Sequence, residues 1–167
     1  LENLTYTGTG NFSGTGNALN NIVAGNDSDN VLAGGRGNDT LNGYGGDDSY
    51  FFDRGDGQDL IKGQADNRPE RLETLLFGAG IAPTDVMVRL TGSSLELSVL
   101  GTSDKVIMAY RRTLMKAIDT VEAGGTPPMV LDLAAAAALQ GPDTIDCIAP
   151  AETWAAHRQA GAAAKRA

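Results

Sequence analysis

The chain has 167 residues and a formal net charge of −8, a balance that makes nucleic acid and anionic membrane surfaces poor partners and cations natural ones. One cysteine, Cys147, excludes an intrachain disulfide, and no run approaches the roughly 20 apolar residues of a membrane span. Gly numbers 22, and 14 of these precede Ala65, so apolar burial alone is a weak source of folding energy for that half.

Residues 1–15 contain no Met, basic stretch or apolar stretch of a leader. They read as a first strand or cap for the segment that begins at Gly16, in a fragment of a longer protein. From Gly16 a period of nine takes over: GNALNNIVA, GNDSDNVLA from Gly25, GGRGNDTLN from Gly34 and GYGGDDSYF from Gly43. RGDGQDLIK from Arg54 fits after a two-residue slip at Phe52 and Asp53. The sixth position is Asn21, Asn30, Asp39, Asp48 and Asp59; the eighth is Val23, Leu32, Leu41, Tyr50 and Ile61. Between Gly16 and Ile61 lie eight aspartates against two arginines, a local net of −6, with no lysine or glutamate. Short carboxylates suit turns and metal cages better than helices.

The last three residues of each unit form a minimal strand with one inward side chain, the eighth. The first six form a turn in which glycine allows φ > 0 or close backbone approach. Alternating turns and strands wind into a flattened solenoid with two units per coil, stable as a stack and not singly. One turn column then holds Asn21, Asp39 and Asp59, and the other Asn30 and Asp48. Carboxylates stacked at roughly 4.7–4.9 Å repel unless a cation lies between them. A cage of carboxylate and carbonyl oxygens without Cys or His suits Ca²⁺ better than Mg²⁺.

GGRGNDTLN matches G-G-x-G-x-D-x-apolar-x at every position, and the segment resembles the RTX (repeats-in-toxin) haemolysin-type calcium-binding repeats. The resemblance implies a parallel β-roll, calcium-driven folding, and export to the exterior or cell surface of a Gram-negative bacterium by a type I secretion apparatus. It places turn ligands at Asp39, Asp48 and Asp59, weaker amide ligands at Asn21 and Asn30, and carbonyl donors near Gly34, Arg36, Gly43, Gly45, Gly55 and Gly57.

The repeat segment is thus expected over 16–66, and composition changes after Asn67. VMVRL, LELSV and KVIMAY alternate, separated by AGIAPTD, TGSS and GTSD, which predicts antiparallel strands over 67–125. GDGQD at Gly55, LLFGAGIAP at Leu75 and the hairpin ending in Tyr110 resemble a haemolysin-type calcium-binding related domain. Such a region would cap the roll's open end. In 126–167, MVLDLAAAAALQGP and AETWAAHRQAGAAAKR predict two short helices in an Ala-rich, partly mobile tail. That tail is read either as an uncleaved secretion signal or as a frayed linker. The expected class is all-β: a parallel β-roll capped by antiparallel strands, with a short helical tail.

No catalytic constellation is visible. His157 is the only histidine, Cys147 is alone, and GxSxG, HExxH and Walker motifs are absent. The RGD at Arg54–Asp56 and the sequons at Asn26 and Asn38 fall within repeat turns that demand these residues anyway. The sequence therefore reads as a non-enzymatic Ca²⁺-binding module at the C-terminus of a larger exported protein. The alternatives are the tail of an exported protease, lipase or polysaccharide-modifying enzyme, and a calcium-rigidified adhesin segment.

Overall fold

The computed structural model describes residues 2–62, 73–91, 94–109, 120–123 and 129–130. Five of its short strands fall at the predicted triplets: β3 (Ile22–Ala24), β4 (Val31–Ala33), β5 (Thr40–Asn42) and β6 (Ser49–Phe52) contain them whole, and β7 (Gln58–Ile61) starts two residues before its triplet and stops short of Lys62. Before them lie β1 (Asn3–Thr5) and β2 (Ser13–Thr15). Successive strands do not pair with each other. β1, β3, β5 and β7 form one parallel series, and β2, β4 and β6 form a second. The chain thus winds between two sheets at two repeat units per coil. This is the parallel β-roll, and the described residues form an all-β structure.

Register places like positions above like. Val23 pairs with Leu41 and Leu41 with Ile61; Leu32 pairs with Tyr50. All five eighth-position side chains are buried, because only the central residue of each triplet points between the sheets. Most seventh and ninth residues face outward, so Ile22, Val31, Phe51 and Leu60 are exposed, while the small Ala24 is buried.

Parallel winding continues past the nonapeptides. β8 (Thr74–Phe77) extends the second sheet beside β6, with Tyr50 opposite Leu75 and Phe52 opposite Phe77. The Phe52 and Phe77 rings meet edge to face, centroids 5.9 Å apart. A 3₁₀ turn at Pro83–Asp85 leads into an antiparallel meander of β9 (Val86–Thr91), β10 (Ser94–Val99) and β11 (Lys105–Ala109). β11 then joins the first sheet parallel to β7. The LLF segment and the inner edge of the meander therefore pair in parallel, where the sequence predicted antiparallel strands only. Alternation of period two fixes which side chains face inward, but not the direction of the neighbouring strand.

β12 (Thr120–Ala123) adds to β8 in parallel, and β13 (Met129–Val130) pairs antiparallel with β12. The helix expected from Met129 thus begins as strand. The remainder of that helix, the second helix, Cys147 and His157 lie outside the described residues. A single apolar cluster runs from Val23 through Leu41, Tyr50 and Leu75 to Val106, Leu97 and Met108. No helix among the described residues is long and apolar enough to cross a membrane.

Candidate metal centre

The sixth residue of every unit closes its turn and faces inward. Asn21, Asn30, Asp39, Asp48 and Asp59 are all buried, Asp48 and Asp59 at 1% exposure. The first position explains how such side chains fit. A Cβ on Gly34 would lie 2.6 Å from Asp39 Cβ, and one on Gly25 would lie 2.7 Å from Asn30 Cγ. At Gly43 the same atom would collide with the Asp48 carboxylate. In the four units that open on Gly16, Gly25, Gly34 and Gly43 the sixth side chain folds back over the first residue of its own turn, which leaves room only for glycine there. The longer fifth turn opens on Arg54 instead.

The two turn columns are those expected. The backbone N–H of Asn21 donates to Asp39 Oδ1 at 2.6 Å, and that of Asp39 donates to Asp59 Oδ1 at 2.9 Å. In the other column the N–H of Asn30 donates to Asp48 Oδ1 at 2.9 Å. The slip before Arg54 does not break the first column. Asp39 and Asp59 are 20 residues apart instead of 18, and Gly55 and Gly57 at φ 94° and 98° accommodate the longer turn.

These contacts use one oxygen of each acceptor carboxylate. Asp39 Oδ2 and Asp59 Oδ2 are buried with no hydrogen-bond partner, a rare condition for a native polar atom. Burial pushes the Asp59 carboxyl up to about 7, opposed by the Asp39 N–H and reinforced by the charges of Asp39, Asp56 and Asp104. Burial likewise raises Asp39, and the Asn21 N–H opposes it. Unpartnered oxygens under mutual repulsion are the donor set a hard cation requires. Among the described residues no group of three or more His, Cys, Asp or Glu side chains is placed to hold a metal ion. A cation here must therefore draw most of its oxygens from the backbone. The residues fit calcium, which accepts such mixed shells.

Of the carbonyl donors expected from sequence, Gly34 and Gly43 are buried inside the turns, Gly45 and Gly57 are half-buried, and Arg36 and Gly55 are exposed. The Gly43 carbonyl accepts from Asn30 Nδ2 at 3.1 Å, and that of Gly57 accepts from the Lys105 N–H at 2.8 Å.

Three features escape a reading of the sixth and eighth columns. The fifth position forms a ladder of its own, running in the opposite sense. Asn20 Oδ1 accepts from the Asn38 N–H, Asn38 Oδ1 from the Gln58 N–H, and Asp29 Oδ1 from the Asp47 N–H. The column Asn20, Asp29, Asn38, Asp47 was visible as a signal. Asp104, buried beside β11, accepts from the Gly55 N–H at 2.7 Å and ties the meander to the last turn. Glu73 hydrogen-bonds Tyr50, whose hydroxyl is raised well above its ordinary value, first by burial and then by the charges of Glu73 and Asp48. Neither Asp104 nor Glu73 lies in a nonapeptide, so no periodic signal marks them.

Comparison with protein families matches the RTX calcium-binding nonapeptide repeat, in four copies, over residues 15–50 and 24–59. Comparison with curated proteins finds no match. The matched span covers the turns, glycine cradles and triplet strands described above. Residues 15–59 are RTX calcium-binding nonapeptide repeats.

Proposed function

We propose that this chain is a calcium-operated folding module at the C-terminus of a larger exported protein. The observation that carries this is the pair of buried, unpartnered oxygens, Asp39 Oδ2 and Asp59 Oδ2, in a column of stacked turns. Asp39, Asp48 and Asp59 supply charge, and turn carbonyls of the kind found at Gly34, Gly43 and Gly57 supply the remaining oxygens. When bound, calcium neutralises the stacked carboxylates and links one coil to the next. Each site adds about 2.7 kcal/mol of stability at free calcium a hundredfold above its Kd.

The physiological consequence comes from concentration. At cytosolic calcium the stacked carboxylates of Asp39 and Asp59 repel and their coils stay open, which suits passage through a type I secretion apparatus. Outside the cell, calcium closes the roll, and the strands after it cover its end.

Far-UV circular dichroism of the metal-stripped chain during a calcium titration tests the switch, with magnesium as the control. The expected result is a cooperative gain of β signal with calcium alone. A chain fully folded in chelator and indifferent to calcium sinks the proposal.

A further inference from the structure

The two turn columns differ at their centre. Asn30 Nδ2 lies within hydrogen-bonding distance of four oxygens. These are the carbonyls of Asn26 at 3.1 Å, of Ser28, and of Gly43 at 3.1 Å, together with Asp48 Oδ1 at 2.8 Å. A carboxamide has two hydrogens, so it cannot serve four acceptors separately. Three carbonyls and a carboxylate oxygen converging on one point form the kind of shell a hard cation gathers. Here a side-chain nitrogen stands at that point. The same amide's Oδ1 is buried and without a hydrogen-bond partner, so the nitrogen, not the oxygen, faces the cage.

The coil before repeats the device from another position. Asn26 Nδ2 donates to the carbonyls of Gly8 and Gly10, each at 2.9 Å. The Val31 N–H donates to the Phe12 carbonyl as the Ser49 N–H donates to that of Asn30. Phe12 therefore occupies the sixth position of that earlier turn, and Gly8 and Gly10 occupy the second and fourth. Asn26 and Ser28 are the second and fourth residues of the 25–30 turn. In both turns an asparagine amide closes this carbonyl pair. At Asp39 and Asp59 the sixth residue has no amide group to close the turn and one oxygen left over.

We infer that the Asn30 carboxamide stands in the place of a calcium ion, so that the 25–30 turn closes without metal while the Asp39 and Asp59 turns require it. This rests on the proposal that calcium drives the repeats to fold, and it divides the array. An amide-closed N-terminal section remains ordered enough to template the coils that calcium then completes. Asn30 is a replacement for the ion, not a ligand to it.

Calcium stoichiometry of the full chain, measured by isothermal titration and equilibrium dialysis, provides the test. Asn30→Asp removes the amide hydrogens and adds a carboxylate; it should bind one more calcium ion than the parent chain. Asn30→Ala should bind the same number as the parent. Asn30→Asp carries the test alone if Asn30→Ala does not fold in saturating calcium. An unchanged count for Asn30→Asp, or one ion fewer for Asn30→Ala, overturns the inference. A parent chain that binds no calcium would instead overturn the proposed function, and an Asn30→Asp variant gaining no ion from that baseline would overturn this inference with it.

Discussion

In the repeat segment each triplet buries its central residue, Leu32 in β4 and Leu41 in β5, while turn carboxylates are buried beside it. In β10, three of six residues, Leu95, Leu97 and Val99, face the core, and the polar positions stay at the surface. There Glu96 meets Lys105 across the strand pair at 3.2 Å. Both regions share one apolar cluster, yet they differ in what the core must offset. The meander strand buries every second residue and no unpartnered carboxylate oxygen. The roll buries few apolar groups and several charges, so part of its folding free energy has to arrive with an ion. Dependence on calcium is therefore a property of the turns, and the strands would stack in either region.

Truncations on the two sides separate these contributions most strongly. Leu41→Ala and Leu97→Ala each empty a fully buried site and should each destabilise by about 2–5 kcal/mol. Their signatures differ. Because folding of the roll is coupled to calcium, Leu41→Ala should raise the calcium midpoint by about tenfold or more, and added calcium should restore the fold. Leu97→Ala should leave that midpoint within about twofold while lowering the urea midpoint of the calcium-loaded chain. Equal shifts of the calcium midpoint would mean that the two regions fold as one unit, and the comparison would break.

Glycines give a smaller contrast with a clearer cause. Gly34→Ala places a methyl against the Asp39 side chain and should destabilise by about 1–3 kcal/mol, read as a weakened calcium response. Gly80, in the turn before β9, has nothing within 4 Å of where a Cβ would sit. Gly80→Ala should therefore stay within about 0.5 kcal/mol of the parent by thermal unfolding. A tolerated Gly34→Ala would show that the sixth side chain does not need to fold over the first residue.

The roll was legible in the sequence because two columns, Asn21 to Asp59 and Val23 to Ile61, report different physics at one period. The eighth column reports burial, and the sixth reports a turn that needs oxygen. What could not be read is equally specific. β8 and β11 join the two sheets in parallel, and nothing in TLLF or KVIMA encodes the partner's direction, since alternation is common to both arrangements. Asn30 offers an oxygen and an NH₂ group of nearly equal shape. Only the convergence of Asn26, Ser28, Gly43 and Asp48 on its nitrogen decides between them.

The effect that bears most directly on the charges is that of pH. Asp59 in the metal-free roll titrates near 7, raised by burial from an ordinary value of 3.8. The folded metal-free chain thus holds this proton more tightly than the unfolded chain does. Its contribution to stability is complete below about pH 4 and is lost as pH rises through about 7. Calcium binding at that column must displace the proton, so acid opposes it. Between pH 7 and pH 5 the calcium midpoint should rise, by at most about tenfold per pH unit for each proton displaced. Over the same interval the chain in chelator should gain residual β structure. The meander strands supply the internal reference, because the buried acid of the meander, Asp104, lies in the turn before β11 and not within a strand. Asp59→Asn should flatten both trends, since an amide neither titrates nor repels Asp39. A calcium midpoint independent of pH between 5 and 7 would mean that Asp59 is already ionised without metal, and buried charge would no longer explain why the roll waits for calcium.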